Sequence, residues 1–227
     1  MIKRRRQHAL AEIAATLMAI SFAGVLSAYA EEACRNNCDG GVCTRFCDDG
    51  APARKIELPH FGNMQIPVVA SAVLEGNYAA VEQALKRDPD GVNQPIKAED
   101  GDRAGFTPLI VAAAFGHDDI LALLLKHGAK LNVFDDYHRS ALWYASFQGD
   151  ETAVRTLLND EASRAIVNVA DEDLQRTPLH FAVRTDNPEL TASLLKAGAN
   201  AELADWLGRT PHDRCKAIFT GGCKPLD

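Results

Sequence analysis

A four-residue phrase returns along this chain. It reads "TPLI" at 107, "SALW" at 140, "TPLH" at 177 and "TPHD" at 210, at intervals of 33, 37 and 33 residues. Self-similarity at a period of roughly 20–50 residues marks a repeat architecture, in which each unit packs chiefly on its neighbours. A second mark follows the first three phrases: Gly116, Gly149 and Asp186 each stand nine residues after the Thr or Ser, and Gly76 keeps the same grammar upstream. Behind each mark runs an apolar stripe: Ala80, Val81, Ala84, Leu85; Ile120, Leu121, Leu124, Leu125; Ala153, Val154, Leu157, Leu158; Leu190, Thr191, Leu194, Leu195. That spacing puts each set on one helix face.

Each unit therefore reads as a helix, a turn, a second helix and an extended link. A Thr or Ser hydroxyl can cap free amides, and the Pro behind it lacks the amide that a first turn leaves unpaired. Gly116 and Gly149 break the first helices, and Gly128 and Gly198 end second helices. Isolated helices shorter than about 12–15 residues are marginal in water, so these must stack on neighbouring copies. Thr177 and His180 accordingly read as parts of a helix start rather than of an active site. No acid or nucleophile partner for His180 is visible from spacing, and the chain shows neither a Gly-rich phosphate loop nor a Ser nucleophile elbow.

With those residues in view, "GFTPLIVAAAFGHDDILALLLKHGAKLNVFD" (105–135) and "TPLHFAVRTDNPELTASLLKAGANAELAD" (177–205) resemble the ankyrin-repeat family. The likeness covers about residues 65 to 220 and implies an all-α solenoid of about four repeats plus a partial C-terminal cap. The first unit lacks the phrase, the last stops after one helix, and insertions around "PIKAEDGDRAG" and "NDEASRAIVN" lengthen two units. The resemblance further implies a non-enzymatic protein-binding module that uses loop tips and the concave face of the first helices. Carried onto this chain, those positions are Arg103, Ala104, Phe106, Ala114 and Phe115; Asp136, Tyr137, Arg139, Phe147 and Gln148; Asp173, Leu174, Arg176, Arg184 and Thr185; then Trp206, Leu207 and Arg209. Aromatic and Arg side chains are the types that anchor protein interfaces. Trp143, one turn away, is expected to pack between units.

The first thirty residues differ in kind. Lys3, Arg4, Arg5 and Arg6 precede an apolar run over about 13–26, and "SAYA" places Ala28 and Ala30 at the small positions. This is the layout of a secretory signal peptide, with cleavage expected after Ala30; the run is short for a spanning helix, which needs about 20 residues. The expected organisation is 1–30 signal peptide, 31–50 Cys-rich hairpin, 51–64 linker and 65–223 repeat domain, exported to the periplasm or secreted. Without residues 1–30, Lys and Arg number 20 against 30 Asp and Glu, a formal charge of −10. Such a surface argues against nucleic acid and anionic membrane and suits a basic protein partner.

Six cysteines, Cys34, Cys38, Cys43, Cys47, Cys215 and Cys223, follow the signal segment. An even count in an oxidising compartment reads as disulfides. If "ACRNNC" and "CTRFC" form helical turns joined by "DGGV", a nested pairing Cys34–Cys47 and Cys38–Cys43 follows. The other connectivities of four cysteines stay open. Cys215–Cys223 would clip the C-terminal end. Competing readings are a four-thiolate zinc or redox site at the first four cysteines, and calcium at Glu99, Asp100 and Asp102. Zinc sites favour C-x2-C spacing, and the acidic loop lacks the full calcium-loop pattern, so no metal or cofactor is expected. The functional expectation is an exported inhibitor (an immunity protein) or an accessory protein of a periplasmic enzyme. The alternatives are a secreted effector binding a host protein and a metal or redox protein.

Overall fold

The computed structural model describes residues 34–39, 42–47, 55–56, 64–98, 105–185, 187–218 and 226. The chain divides into Met1–Met64 and Gln65–Asp227. In the first part, β1 (Cys34–Asp39), β2 (Val42–Cys47) and β3 (Lys55–Ile56) form an antiparallel sheet in the order β1-β2-β3. The expected helical turns of the cysteine arms are therefore strands, and the all-α expectation applies to the repeat stack. Asn, Asp, Thr and Cys are indifferent helix formers, so these arms lose little by forming strands. The register sets Cys34 opposite Cys47 and Cys38 opposite Cys43.

The second part holds nine described helices in chain order: α1 (Val68–Leu74), α2 (Tyr78–Arg87), α3 (Pro108–Phe115), α4 (Asp118–Lys126), α5 (Ala141–Gln148), α6 (Glu151–Leu158), α7 (Pro178–Ala182), α8 (Pro188–Lys196) and α9 (Pro211–Ile218). First helices pack on first helices (α1 on α3, α3 on α5, α5 on α7, α7 on α9) and second on second (α2 on α4, α4 on α6, α6 on α8). Helices α3 and α5 are buried nearly all round, whereas α2, α4, α6 and α8 bury one stripe. The stripe of α4, for instance, is Ile120, Leu121, Leu123 and Leu124. Burial of each such Leu or Ile contributes about 1.5–3 kcal/mol, an amount that neither helix of a unit could collect alone.

The caps follow the phrase. Thr107 Oγ1 accepts the Ile110 N–H at 3.4 Å and Ser140 Oγ accepts the Trp143 N–H at 3.2 Å. Gly116 and Gly149 end α3 and α5 in the left-handed region, at φ 69° and 73°. Asp186, the third mark, lies outside the described residues. Second helices start on Asn77, Asp150 and Asn187, whose side chains accept from the amide three residues on. At the far edge, Asn93 bonds the Gly128 C=O and the Lys130 N–H, and Asn168 does the same with Gly198 and Asn200.

The fourth residue of the phrase ties one unit to the next. In unit four the Thr177 N–H donates to His180 Nδ1 (3.1 Å), and the Thr177 hydroxyl lies 2.9 Å from the same nitrogen. That leaves His180 Nε2–H to donate to the Arg209 C=O at 3.2 Å. In unit three Trp143 stands at the same place, and its Nε1–H donates to Asp171 Oδ2 at 3.1 Å. A ring N–H reaching into the following turn is the shared device, so the helix-start reading of His180 describes what the residue does.

His180 is fully buried, and that burial pulls its pKa down to about 4, the Arg209 C=O and the Asp205 charge opposing. A depressed folded-state pKa means the neutral ring's contribution is complete above pH 6.5 and is lost as pH falls toward 4. Acidification over that window should weaken the α7–α9 joint by about 2–3 kcal/mol. Hydrogen exchange at α7 and α9 amides measured from pH 7 to 4 checks this, with His180→Gln expected to remove the pH slope.

Candidate protein-binding face

Between a second helix and the next phrase the chain makes a tight turn, and three of these turns share one construction. Asp135, Asp171 and Asp205 are buried at its start, and Arg139, Arg176 and Arg209 close it just before Ser140, Thr177 and Thr210. The residue before each Arg is left-handed: His138 at φ 60°, Gln175 at 52° and Gly208 at 74°. Only the last is glycine, so His138 and Gln175 carry a backbone cost of about 1 kcal/mol or more that the turn must hold in place. Each Asp does the holding. Asp135 accepts the Tyr137 and Arg139 N–H groups at 2.9 Å, the Arg139 guanidinium at 2.8 Å and the Tyr144 hydroxyl at 2.7 Å.

Asp205 sits at a denser node. It accepts the Leu207 and Arg209 N–H groups at 3.0 Å, meets Arg209 at 3.2 Å and Arg214 at 3.3 Å, and has Arg176 of the preceding turn 3.7 Å away. Burial alone would raise its pKa, but the Arg209 N–H and the charges of Arg209 and Arg176 hold it below the usual carboxylate range. Asp171 goes the other way: burial dominates and pushes it up, against the Leu174 N–H and the Trp143 indole. These three carboxylates were not read from the sequence as functional parts. The signal was present as an Asp four or five residues ahead of an Arg-Ser or Arg-Thr pair.

Successive turns are joined by main-chain bonds, the Glu172 N–H to the Tyr137 C=O and the Trp206 N–H to the Leu174 C=O, each 3.0 Å. This lines up Tyr137, Leu174, Trp206 and Leu207, all half-buried, with Asp136, Glu172 and Asp173 exposed beside them. A second row follows the ends of the first helices. Phe115 is half-buried with its ring stacked 6.2 Å from His117. Gln148 is exposed and its Nε2 donates to the Ala114 C=O at 2.7 Å. Half-buried Arg184 places its guanidinium 5.4 Å from the Phe147 ring and 6.0 Å from Phe181. Phe106 is also half-buried, tilted 6.1 Å from Tyr144.

Four members of the expected contact set are displaced from the surface. Phe147 is 7% exposed because it stacks on Trp143 (5.3 Å, 3°) and meets Phe181 edge-on. Arg139 and Arg176 are each 4% exposed, turned inward onto Asp135 and Asp205. The expectation that they face a partner is corrected: they are internal ties of the turns. Ala114, also expected on the face, is 7% exposed. Arg103, Ala104 and the acidic loop residues Glu99, Asp100 and Asp102 lie outside the described residues, as does Cys223. Cys215 is buried on α9. Among the described residues no group of His, Cys, Asp and Glu side chains is placed to hold a metal ion, and no helix is long and apolar enough to cross a membrane.

Comparison with known proteins agrees with this geometry. Family models described as "Ankyrin repeats (3 copies)" and "Ankyrin repeat" match residues 69–171 and 174–206, together more than half the chain. The chain is 31% identical over 140 residues to a potassium channel, AKT2/3, of Arabidopsis thaliana, covering 62% of this chain and 16% of the channel. It is 31% identical over 136 residues to inversin of Mus musculus, covering 60% of this chain and 12% of inversin. It is 30% identical over 110 residues to a transient receptor potential channel homolog of Caenorhabditis elegans, covering 48% and 9%. The chain thus spans a small fraction of each of these relatives. Repeat period, caps, stacking order and family models agree that this chain belongs to the ankyrin-repeat family, whose members generally serve as non-enzymatic scaffolds that bind other proteins.

Proposed function

We propose that this chain is an exported binding protein that holds a basic protein partner along its turn edge and first-helix ends, as an inhibitor or accessory protein of a periplasmic enzyme. One observation carries the reading. The turn edge combines half-buried apolar side chains, Tyr137, Leu174, Trp206 and Leu207, with exposed carboxylates Asp136, Glu172 and Asp173. Apolar anchors ringed by charge of one sign fit a partner carrying basic and apolar side chains. The formal charge of −10 after residue 30 acts in the same direction at long range. Export rests on the basic and apolar segment at the N-terminus and on the even cysteine count. The facing register of Cys34 with Cys47 and of Cys38 with Cys43 supports two nested disulfides, and a Cys215–Cys223 link would close the last helix.

The test compares capture by the wild-type chain with capture by two variants. In a periplasmic pull-down followed by calorimetry, the Tyr137→Ala/Trp206→Ala variant should bind at least about 30-fold more weakly, since hot-spot truncations cost about 2 kcal/mol or more. A Glu82→Ala/Lys86→Ala variant, altered on the second-helix surface, should bind as the wild type does. Phe147 is left unchanged because its removal would disturb the stack itself. Equal affinity of all three proteins would refute this face. Fractionation in the native host, with the mature N-terminus read by mass spectrometry, tests export separately.

A further inference from the structure

The insertion around "NDEASRAIVN" builds a wall on the second-helix side of the stack. After α6 the chain forms a short 3-10 helix, Glu161–Ala165. Its inner side is anchored. Asp160 Oδ1 accepts the Ala162 N–H at 2.8 Å, the Ser163 C=O accepts the Ile166 and Val167 N–H groups at 3.0 Å, and Ser163, Ile166 and Val167 are buried. The outward residues Glu161 and Arg164 are thereby carried on a fixed backbone. Between this wall and helices α6 and α8 lies a cleft of about 390 Å³. At ~30 Å³ per water it has room for about a dozen waters. That is the lower end of the ~300–1,000 Å³ range of small-molecule sites.

The cleft gathers positive charge in an acidic protein. Arg155 of α6, Arg164 of the wall and Lys196 of α8 all line it. Arg155 meets Glu151 at 3.5 Å, a solvent-exposed pair of the weak kind. Among the described residues, neither Arg164 nor Lys196 forms an ion pair. Asp160 and Glu161 share the lining, and Asp160 already spends an oxygen on the Ala162 amide. Three cations against two carboxylates suit an anion of one or two charges and not a polyphosphate chain. The cations come from three separate elements. One guanidinium satisfies both oxygens of a planar carboxylate, whereas a phosphate monoester presents three acceptor oxygens to donors on several sides. The Ser193 hydroxyl, also in the lining, adds a neutral donor.

We propose that this cleft binds a small phosphate monoester. Arg164 and Lys196 are its principal cations, Arg155 turns from Glu151 to serve as a third, and Ser193 donates from α8. The ester is a soluble molecule and not a lipid headgroup, because the chain's formal net charge of −7 opposes approach to an anionic membrane. The site uses none of the turn-edge residues. It does not depend on the partner reading, and its test is made on the free protein.

Amide NMR of the full chain titrated with glycerol 3-phosphate at constant ionic strength reads the site directly. Amides of residues 159–164 and 193–197 should shift in a saturable way, and succinate or sodium chloride should produce no saturation. Arg164→Gln/Lys196→Gln should raise Kd at least about tenfold, since two charge-assisted contacts are lost. Both positions are exposed, so the fold should survive the change. Glu161→Gln removes a repelling carboxylate and should lower Kd about two- to fivefold, the size of an exposed charge interaction. Binding should also weaken below about pH 6, where the monoester takes up its second proton. Absence of a saturable shift, succinate binding as tightly as the ester, or a double variant within about twofold of the wild type would each overturn the site. Co-sedimentation with phosphatidic acid vesicles, in preference to the free ester, would overturn its assignment to a soluble ligand.

Discussion

Trp143→Ala is expected to destabilise the stack by about 3–5 kcal/mol, the range for removing a buried Trp. The side chain is 1% exposed and stands at the centre of the aromatic cluster, with Phe147 stacked at 5.3 Å, Phe181 edge-on at 4.6 Å and Tyr144 at 5.0 Å. Truncation would open a cavity at the joint between units three and four and remove the indole donor from Asp171, a carboxyl that burial already pushes toward its neutral form. Trp143→Phe separates the two effects. It keeps most of the packing and loses the hydrogen bond, so about 1–2 kcal/mol of the deficit should remain. Urea unfolding followed by circular dichroism measures both. An alanine variant within about 0.5 kcal/mol of the wild type, the range of ordinary surface substitutions, would show that this joint is not held by the cluster.

The second large loss is expected at the last turn. Asp205→Ala removes one carboxylate from Arg176, Arg209 and Arg214, two of which are nearly fully buried. Breaking a buried ion pair by deleting one partner typically costs about 3–5 kcal/mol, because the remaining charge stays desolvated. Asp205→Asn should recover part of the loss: the amide oxygen can still accept the Leu207 and Arg209 N–H groups, but the charge is gone. Because neighbouring units supply most of each unit's stability, the damage should be local first. In hydrogen exchange, α7 and α9 amides should lose protection well before those of α3 and α4; uniform loss along the chain would contradict the assignment of Asp205 to this joint.

Repeat period and helix boundaries were readable in advance for a local reason. A Thr or Ser hydroxyl, a Pro without an amide and a left-handed Gly each act within one turn of their own position, so the letters are sufficient. The stripes on α2, α4, α6 and α8 were equally readable, since one buried face leaves a periodic trace. The first helices leave no such trace: α3 and α5 are buried nearly all round, and nothing in "ALWYASFQ" tells which residue faces out. Phe147 was misplaced for that reason. Arg139 and Arg176 were misplaced for another. Arg is the residue type of interfaces and also of internal ion pairs, and the choice depends on a carboxylate whose position is set by the turn: Asp135, four residues away, for one, and Asp205, in the following unit, for the other.

The cysteine arms show the same division. Spacing by four residues puts two cysteines on one side of a helix or of a strand, so facing pairs could be anticipated while the secondary structure was mistaken. What the chain's letters alone determined was the unit, its length, its caps and its order, because those are properties of short segments. Only the stacked structure decided which polar groups went inside: the ring N–H of Trp143 and of His180 answered by the next turn, and Asp205 shared between two turns and α9. Each of those depends on a group contributed by a different unit, and the price of burying it is set by the partner that arrives.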